Sequence, residues 1–336
     1  MHFPTSMMAA GLLVSLALAH PGPHAHATRS ETQKRNVMAK RCAGAAAAMN
    51  EKRYSKRNLE KKRSLEARAN ATYQITTEAP YYEVIQNDTC VLTPEVTQGP
   101  YVWPRSQTLR QDMSEGQAGI PFWLDVGVLD MATCGPLANA LVDFWHCNGT
   151  GSYSSFVDRD PNTGFVNLLN ELNITDFEIG VTDLHTDDST FLRGMWPTDT
   201  NGMMEMKTIY PGFYIERAIH IHAQVHTDWV LHENGTIVSE NTVSTGQLYM
   251  PEELNVEMMK LEPYASHTQI NRTTNDEDNI ISQSTDGGYS PYISVVPADG
   301  VNPANGVIGY ITIGVDTTDI QIGDAGGAGG GPRNTD

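Results

Sequence analysis

The sequence predicts an all-β protein, an antiparallel β-sandwich core with long active-site loops, preceded by an N-terminal basic helical segment. From Tyr73 onward, short segments rich in β-branched and aromatic residues alternate with Gly, Pro, Asn and Asp turns, a spacing typical of a sandwich. Before that point the chain is rich in Ala, Lys, Arg and Glu, which favours a helix. The 336 residues are enough for one such domain with extended loops.

Seven strands are predicted within the sandwich, which we place in residues 73–318. They are Phe122–Leu129, Leu141–Cys147, Thr190–Arg193, Glu205–Ile209, Ala218–Val230, Thr242–Tyr249 and Gly306–Val315. An acidic insert near Val157–Ser189 separates the second predicted strand from the third, and we expect it to shape the mouth of a site. The Gly-rich tail, residues 319–336, is expected to be flexible and to carry no site.

Residues 1–19 are typical of a secretory signal peptide. An apolar run, Met7–Ala19, ends in an A-x-A cleavage pattern, although no Lys or Arg precedes it. Cleavage as late as residue 27 fits a second such pattern. The run is too short to span a bilayer, and no later segment reaches transmembrane length. We therefore expect a secreted, extracellular protein with no membrane span.

Glycosylation acceptors and cysteines agree with secretion. Six N-x-S/T patterns are expected glycosylation sites: Asn70, Asn87, Asn148, Asn173, Asn234 and Asn271. Four cysteines in an oxidising compartment predict two disulfides. Cys134 and Cys147 flank a predicted strand and would lie too far apart to bond with each other. We expect each of them to pair with Cys42 or Cys90.

Charge is divided sharply along this chain of formal net charge −18. Residues 1–70 hold 13 Lys or Arg against 4 Asp or Glu, whereas the other 266 hold 9 against 36. The basic segment, residues 28–72, is expected either to dock on the acidic body or to be a propeptide, since it contains several dibasic pairs. It could also join two subunits as a homodimer. No nucleic-acid partner is expected of a secreted acidic protein.

The residues most informative about chemistry lie in Phe191–His226. Tyr214, Arg217, His220 and His222 fall within nine residues, on a predicted strand and the turn that leads into it. Because residues i and i+2 of a strand share a face, the two histidines can bind one metal ion. A phenol oxygen together with imidazole suits ferric iron better than zinc. The pattern indicates redox chemistry rather than hydrolysis.

Several separate motifs occur in the order known from one family. They are CVLTPEVTQGPYVWP at Cys90–Pro104, VDFWHCNGTGSYSS at Val142–Ser155, then FLRG, TIYPGFY and RAIHIH, and finally GQLYMPEE from Gly246. Together they resemble the intradiol ring-cleavage dioxygenases, in particular the secreted fungal branch. The resemblance covers roughly Cys90 to Val315.

The resemblance implies one mononuclear non-haem Fe(III) ion and O2-dependent cleavage of a catechol-type substrate to a muconate-type diacid. The metal ligands that it implies are Tyr153, Tyr214, His220 and His222. Tyr214 is also the implied base, which leaves the metal when the substrate binds. The glycosylation acceptor Asn148 precedes Tyr153 by five residues, so a glycan there would stand near the pocket rim.

Three further site residues follow from the same resemblance. Arg217 is implied to stabilise negative charge on the substrate ring, and a fixed guanidinium can do so without reorganising. Gln247 is implied to line the same pocket, so both residues are expected to be catalytic and substrate-binding. Tyr101, in the GPYVW segment, is an expected substrate contact.

Two alternatives stay open at this point. One is a secreted binding or surface protein that keeps the fold without catalysis, against which the complete ligand set weighs. The other is zinc or copper on the same histidine pair, which the two phenols and the lack of a carboxylate or thiolate ligand disfavour. The neighbouring His146, His185 and His226 are predicted to pack or to be solvated rather than to bind metal.

Overall fold

The computed structural model describes residues 29–66, 96–103, 108–179, 181–232, 237–284 and 290–320. The strands in this part of the chain are β1 (Pro121–Asp130), β2 (Gly135–Pro136), β3 (Leu141–Trp145), β4 (Arg193–Pro197), β5 (Met203–Ile209), β6 (His220–Leu231), β7 (Ile237–Tyr249), β8 (Ser294–Pro297) and β9 (Val307–Val315). The α-helices are α1 (Arg29–Glu66), α2 (Phe165–Glu171), α3 (Glu252–Met258) and α4 (Asn279–Ser284). Two short 3₁₀ helices span Tyr264–Ser266 and Pro303–Asn305.

The strands form two sheets. In the first, β1 pairs antiparallel with β2 and β5 and parallel with β9, which in turn pairs antiparallel with β8. The second sheet has the order β4-β3-β6-β7 and is antiparallel throughout. The predicted β-sandwich is confirmed, but its purely antiparallel character is wrong at the β1–β9 pair. A parallel pair needs a long connection, and here nearly the whole domain lies between the two strands.

One apolar core lies between the sheets and determines which face carries the site. Alternate residues of β6, from Ile221 to Val225, belong to this core. Because successive strand residues point to opposite faces, His220 and His222 lie on the outer face of the second sheet. The segment 96–103 and the loops that precede β4 and β6 cover this face, and both histidines are only 2% exposed.

The predicted strands agree with the structure apart from their ends and one displaced element. The third predicted strand, Thr190–Arg193, is instead β4, which begins at Arg193, because a turn precedes it with Leu192 at a positive φ of 58°. The two-residue β2, the four-residue β8 and the short helices α2, α3 and α4 were not predicted. Each is too short to show a hydrophobic period.

The first half of the basic helix α1 docks on the sandwich. Residues spaced three or four apart on α1 form a buried stripe that packs against the end of β1 and the start of β5. The cluster consists of Met38, Cys42, Ala46, Met49, Leu129, Met131 and Met203. Lys34 Nζ lies 2.8 Å from an Asp316 carboxylate oxygen, and Arg41 donates to the carbonyl of Met131. No described helix combines the length and apolarity needed to cross a membrane.

A disulfide reinforces this docking. Cys42 and Cys134 are bonded, with their Cα atoms 4.9 Å apart, and Cys42 was one of the two partners expected for Cys134. The predicted pairing of Cys147 is wrong, since its thiol is free and buried in an aromatic cluster with Tyr153. Burial raises the pKa of that thiol to about 12. Cys90 lies outside the described residues.

Candidate metal and substrate site

The candidate site lies at one end of the second sheet, where β3, β6 and β7 run side by side. His220 and His222 are the first and third residues of β6. His222 is paired with Trp145 of β3 and with Gln247 of β7, while His220 is paired with Tyr249. Because paired residues share a face, three strands bring these side chains to one surface.

The nitrogen and oxygen atoms of three predicted ligands converge. His220 Nε2 lies 3.1 Å from His222 Nε2 and 3.3 Å from Tyr214 Oη. His220 Nδ1 lies 2.7 Å from the Ala218 carbonyl oxygen, so Nδ1 carries the proton and Nε2 presents its lone pair. Two ligands bound about 2.1 Å from one metal at roughly 90–110° are about 3.0–3.4 Å apart. The observed spacings therefore fit a shared cation.

The fourth predicted ligand, Tyr153, lies at the end of residues 148–153, which we call the first ligand turn. Its ring centroid lies 5.6 Å from that of Tyr214 and 6.1 Å from that of His222. The Tyr153 hydroxyl is buried and has no hydrogen-bond partner of standard geometry among the described residues. A buried polar group without a partner is costly, and coordination to a cation would remove that cost.

Two glycines hold the tyrosine-bearing turns together. The second ligand turn comprises residues 211–214. A Cβ at Gly212 would lie 2.3 Å from the Asn148 carbonyl oxygen, and one at Gly151 would lie 2.4 Å from the Phe213 carbonyl oxygen. The two turns thus touch backbone to backbone, which no larger residue would allow. Gly151 also has a φ of +91°, in the region that favours glycine.

The titration states suit metal binding. Burial, with a contribution from the charge of Arg217, lowers the pKa of His220 to about 3, so its imidazole is neutral near pH 7. Burial raises the pKa of Tyr214 to about 12, although Arg217 acts in the opposite direction. Burial likewise raises the pKa of Tyr153 well above its usual value. Both phenols therefore keep their protons at neutral pH until a cation displaces them.

Aromatic rings enclose the ligand group. The Tyr101 ring stacks on Tyr153 with centroids 4.9 Å apart and meets Tyr214 edge-on at 6.1 Å. Trp145 stacks on His222 at 4.8 Å with an interplanar angle of 3°. These contacts restrict the rings of the ligands and limit the access of water.

Arg217 forms the polar wall of the site. Its side chain is 1% exposed, and Nε donates to Asp278 Oδ2 at 2.9 Å. Nη2 donates to Gln247 Oε1 and, at 3.2 Å, to Tyr249 Oη. Gln247 Nε2 in turn donates to the Thr97 carbonyl at 3.1 Å. Arg217 Nη1 is buried without a partner among the described residues, so one face of the fixed cation is available to an anionic oxygen.

Other histidines near the motifs lie outside the ligand group. His146 is buried between a backbone carbonyl and the Thr208 hydroxyl, 2.7 Å from each. His226 lies further along β6 beside a threonine hydroxyl of β7. His185 stacks on Trp103 in the covering loops. Among the described residues, no three His, Cys, Asp or Glu side chains are grouped so as to hold a metal ion.

Three residues of the site were not predicted from the sequence. Asp278 lies in the run NDEDN, which is indistinguishable in the sequence from a solvated acidic loop, and Tyr249 lies in the GQLYMPEE motif, of which only Gln247 was assigned a role. Arg193 donates through Nη2 to the carbonyls of Tyr101 and Ser154, and thereby joins the covering segment to the first ligand turn. The available signal for Arg193 was its place in the FLRG motif.

The glycosylation acceptors differ in accessibility. Asn173 and Asn271 are exposed. Asn148 is half-buried, and its side-chain oxygen accepts from the backbone N–H groups of Thr150 and Ser152 within the first ligand turn. The remaining three acceptors, Asn70, Asn87 and Asn234, lie outside the described residues.

Comparison with known proteins identifies the fold. No protein-family model and no curated protein matches the chain. An intradiol ring-cleavage dioxygenase from Tetranychus urticae is 24% identical with a TM-score of 0.55, over 69% of this chain and 98% of that one. A second dioxygenase structure is also 24% identical, with a TM-score of 0.54 over the same shares. The dioxygenase domain of a carbohydrate-binding fusion protein from Streptomyces sp. SirexAA-E is 22% identical over 67% and 97%, with a TM-score of 0.39. The secreted fungal branch stays a prediction.

Proposed function

We propose that this chain, whose fold is that of the intradiol ring-cleavage dioxygenases, is a secreted non-haem Fe(III) dioxygenase that cleaves catechol-type diols with O2. The observation that carries the proposal is the convergence of His220 Nε2, His222 Nε2 and Tyr214 Oη, at spacings of 3.1 and 3.3 Å, beside the buried hydroxyl of Tyr153. Hard oxygen and imidazole donors together suit ferric iron.

The four residues Tyr153, Tyr214, His220 and His222 would hold the iron. When bound, ferric iron supplies an electron-accepting centre that makes an electron-rich diol ring reactive toward O2. In the overall reaction the bond between the two hydroxyl-bearing carbons breaks, and both oxygen atoms enter the product. The ring supplies the electrons that reduce O2, and a diacid results.

Tyr214 is suited to move the substrate proton. It is half-buried, whereas Tyr153 is 3% exposed, so Tyr214 is the phenol that an incoming diol can reach. Its Oη can accept a proton from a substrate hydroxyl when it leaves the ligand group. The high pKa of the free phenol, about 12, favours that transfer.

Arg217 and Gln247 would stabilise the charge that develops on the ring. Arg217 is fixed by its partners before any substrate binds, so the interaction of its Nη1 with a negative ring oxygen needs no reorganisation. Gln247 keeps the guanidinium oriented and links it to the segment that carries Tyr101. Tyr101 and Trp145 exclude water from the reacting ring.

The decisive experiment is O2 uptake by the iron-loaded protein with a panel of catechols, combined with identification of the diacid by mass spectrometry. We expect uptake with at least one catechol and a visible phenolate-to-iron absorption band. Tyr214→Phe and His220→Ala are both expected to abolish uptake, because each removes a ligand. Unchanged uptake in either variant would refute the ligand assignment. An iron-loaded protein with the band but without uptake would favour the non-catalytic alternative.

Secretion is part of the proposal. The apolar N-terminal run, the glycosylation acceptors and the Cys42–Cys134 disulfide support it, since disulfides persist in oxidising compartments. Expression in a secreting host should place the protein in the medium. Treatment with a glycosidase should then lower its mass, and a full-length product retained inside the cell would contradict secretion.

A further inference from the structure

We propose that Asp278 is a positioning residue of the site, which fixes the Arg217 guanidinium so that Nη1 faces the substrate. This proposal deepens the proposed function. Its activity measurement rests on that function, whereas its NMR measurement does not. Asp278 lies 61 residues from Arg217 in the sequence and outside the motifs that carry the resemblance. Its side chain is 1% exposed, as is that of Arg217.

Four hydrogen bonds hold the Asp278 carboxylate. Oδ2 accepts from Arg217 Nε at 2.9 Å and from the Ala218 backbone N–H at 2.8 Å. Oδ1 accepts from the backbone N–H groups of Ile280 and Ile281 at 2.7 and 3.2 Å. The second pair of bonds caps the first turn of α4. The carboxylate is therefore anchored independently of Arg217 and acts as a fixed point for it.

The segment that carries Asp278 is itself held against the sandwich. Asn275 Nδ2 donates to the Met250 carbonyl at 2.9 Å, and Arg272 forms an ion pair with Glu252 at the start of α3. Buried ion pairs lose solvation energy when they form and are weak stabilisers of a fold. The buried pair of Arg217 and Asp278 instead orients a charge. The other hydrogen bonds of Arg217, made by Nη2, go only to the neutral partners Gln247 and Tyr249.

Charge balance gives the second reason for the assignment. Among the described residues, Asp278 is the carboxylate within hydrogen-bond distance of Arg217. Burial opposes its ionisation, but Arg217 and the Ala218 N–H outweigh that effect and keep the pKa of Asp278 below its usual value. Without this anion, the guanidinium would be an uncompensated buried charge, held in place only by its neutral partners Gln247 and Tyr249.

Asp278→Asn is the test variant. Two pairs of N–H donors face the carboxylate, and an amide replaces one acceptor with a donor, so one pair must lose its partner. We expect kcat to fall about 100-fold with KM changed less than about threefold, as when one preorganised donor is lost from a transition state. Iron content should stay at the wild-type level. Asp278→Glu restores the charge and should recover part of kcat.

A measurement without iron tests the positioning itself. In metal-free protein with isotopically labelled arginine, the buried Nε–H of Arg217 should give a slowly exchanging NMR signal, assigned by its loss in Arg217→Gln. Asp278→Asn should shift this signal or abolish its protection from exchange. An unchanged signal would overturn the proposal, and so would a folded Asp278→Asn enzyme with wild-type kcat.

Glu252→Gln is the matched control. It removes the carboxylate partner of Arg272 and loosens the same segment without touching Arg217. A loss of kcat in this control as large as in Asp278→Asn would overturn the proposal, because it would show that general loosening of the segment is sufficient. We expect kcat and the Arg217 signal to be those of the wild type.

Asp278→Asn leaves a buried charge without a partner and could fail to fold. The double variant Arg217→Gln/Asp278→Asn removes both charges. If Asp278 acts through Arg217, this double variant should match Arg217→Gln in kcat/KM within about threefold. A further loss of about tenfold or more would overturn the proposal. If the wild type cleaves no catechol, the proposed function fails, and the NMR measurement still decides the role of Asp278.

Discussion

Burial determines which histidines of this protein can carry a charge. His146 and His226 are completely buried, and burial lowers the pKa of each to about 4. Between pH 6.5 and about 4, the unfolded chain therefore binds protons at these positions that the folded chain does not. The free energy of unfolding must then decrease as the pH falls through this window.

We expect the metal-free protein to lose stability when the pH is lowered from 7 to 4.5, with each of these histidines contributing up to about 3 kcal/mol. His226→Gln should reduce that pH dependence, because the amide stays neutral. Urea unfolding at a series of pH values measures it. His232→Gln, at an exposed position, is the control and should keep the wild-type slope. Equal slopes in the wild type and His226→Gln would contradict this account.

At the residue scale, the sequence predicts what is local. His220 and His222 share a face because a strand alternates, and the same rule places Tyr249 on the face of Gln247. The pairing of these two residues with the histidines was not predictable, because cross-strand register is not local information. Asp278 was missed for the same reason, since its importance comes from a contact with Arg217 across 61 residues. The predicted pairing of Cys147 was wrong because it assumed that all four cysteines form disulfides. The sequence does not show that Cys134, rather than Cys147, lies beside Cys42 of α1.

At the scale of elements, the two ligand turns are the most constrained part of the site. They come from segments about 60 residues apart, yet their backbones touch at Gly151 and Gly212. A side chain at either position would have to push the turns apart, and with them Tyr153 and Tyr214. The relative position of the two phenols therefore depends on these glycines as well as on the ring contacts with Tyr101.

Gly212→Ala should separate the two tyrosines and lower the affinity for iron by about tenfold or more, as expected when a ligand or its support is displaced. Iron content after dialysis against a chelator, with the visible absorption band, measures the effect. Gly44→Ala is the control, since a Cβ at Gly44 of α1 meets nothing within 4 Å. That control should retain iron and gain about 1 kcal/mol of helix stability at most. Wild-type iron retention in Gly212→Ala would refute the role of the turn contact.

Element prediction succeeded where a pattern repeats and failed where it does not. The long strands β1, β6, β7 and β9 show β-branched and apolar residues over enough length to be recognised. The parallel pairing of β1 with β9 was not predictable, because strand direction depends on where the chain returns after some 180 residues. The six-residue α4 is specified mainly by its Asp278 cap, which in the sequence is one acidic residue among several.

At the scale of the whole molecule, the site and the basic helix occupy different parts of the sandwich. The ligands lie on the outer face of the second sheet, whereas α1 packs on the end of the first sheet around Leu129 and Met131. The ion pair between Lys34 of the basic helix and Asp316 of the acidic body lies at this contact, away from the ligand residues.

The disulfide between Cys42 and Cys134 turns the residues between them into a closed covalent ring. A protease that cuts once inside the ring, for example after the dibasic pair Lys52-Arg53, would open it without releasing a fragment. The protein would become a two-chain molecule whose docked helix stays attached through sulfur. Electrophoresis of such a nicked sample should give one band without reductant and two with it. Loss of the helix without reductant would show that the bond is absent.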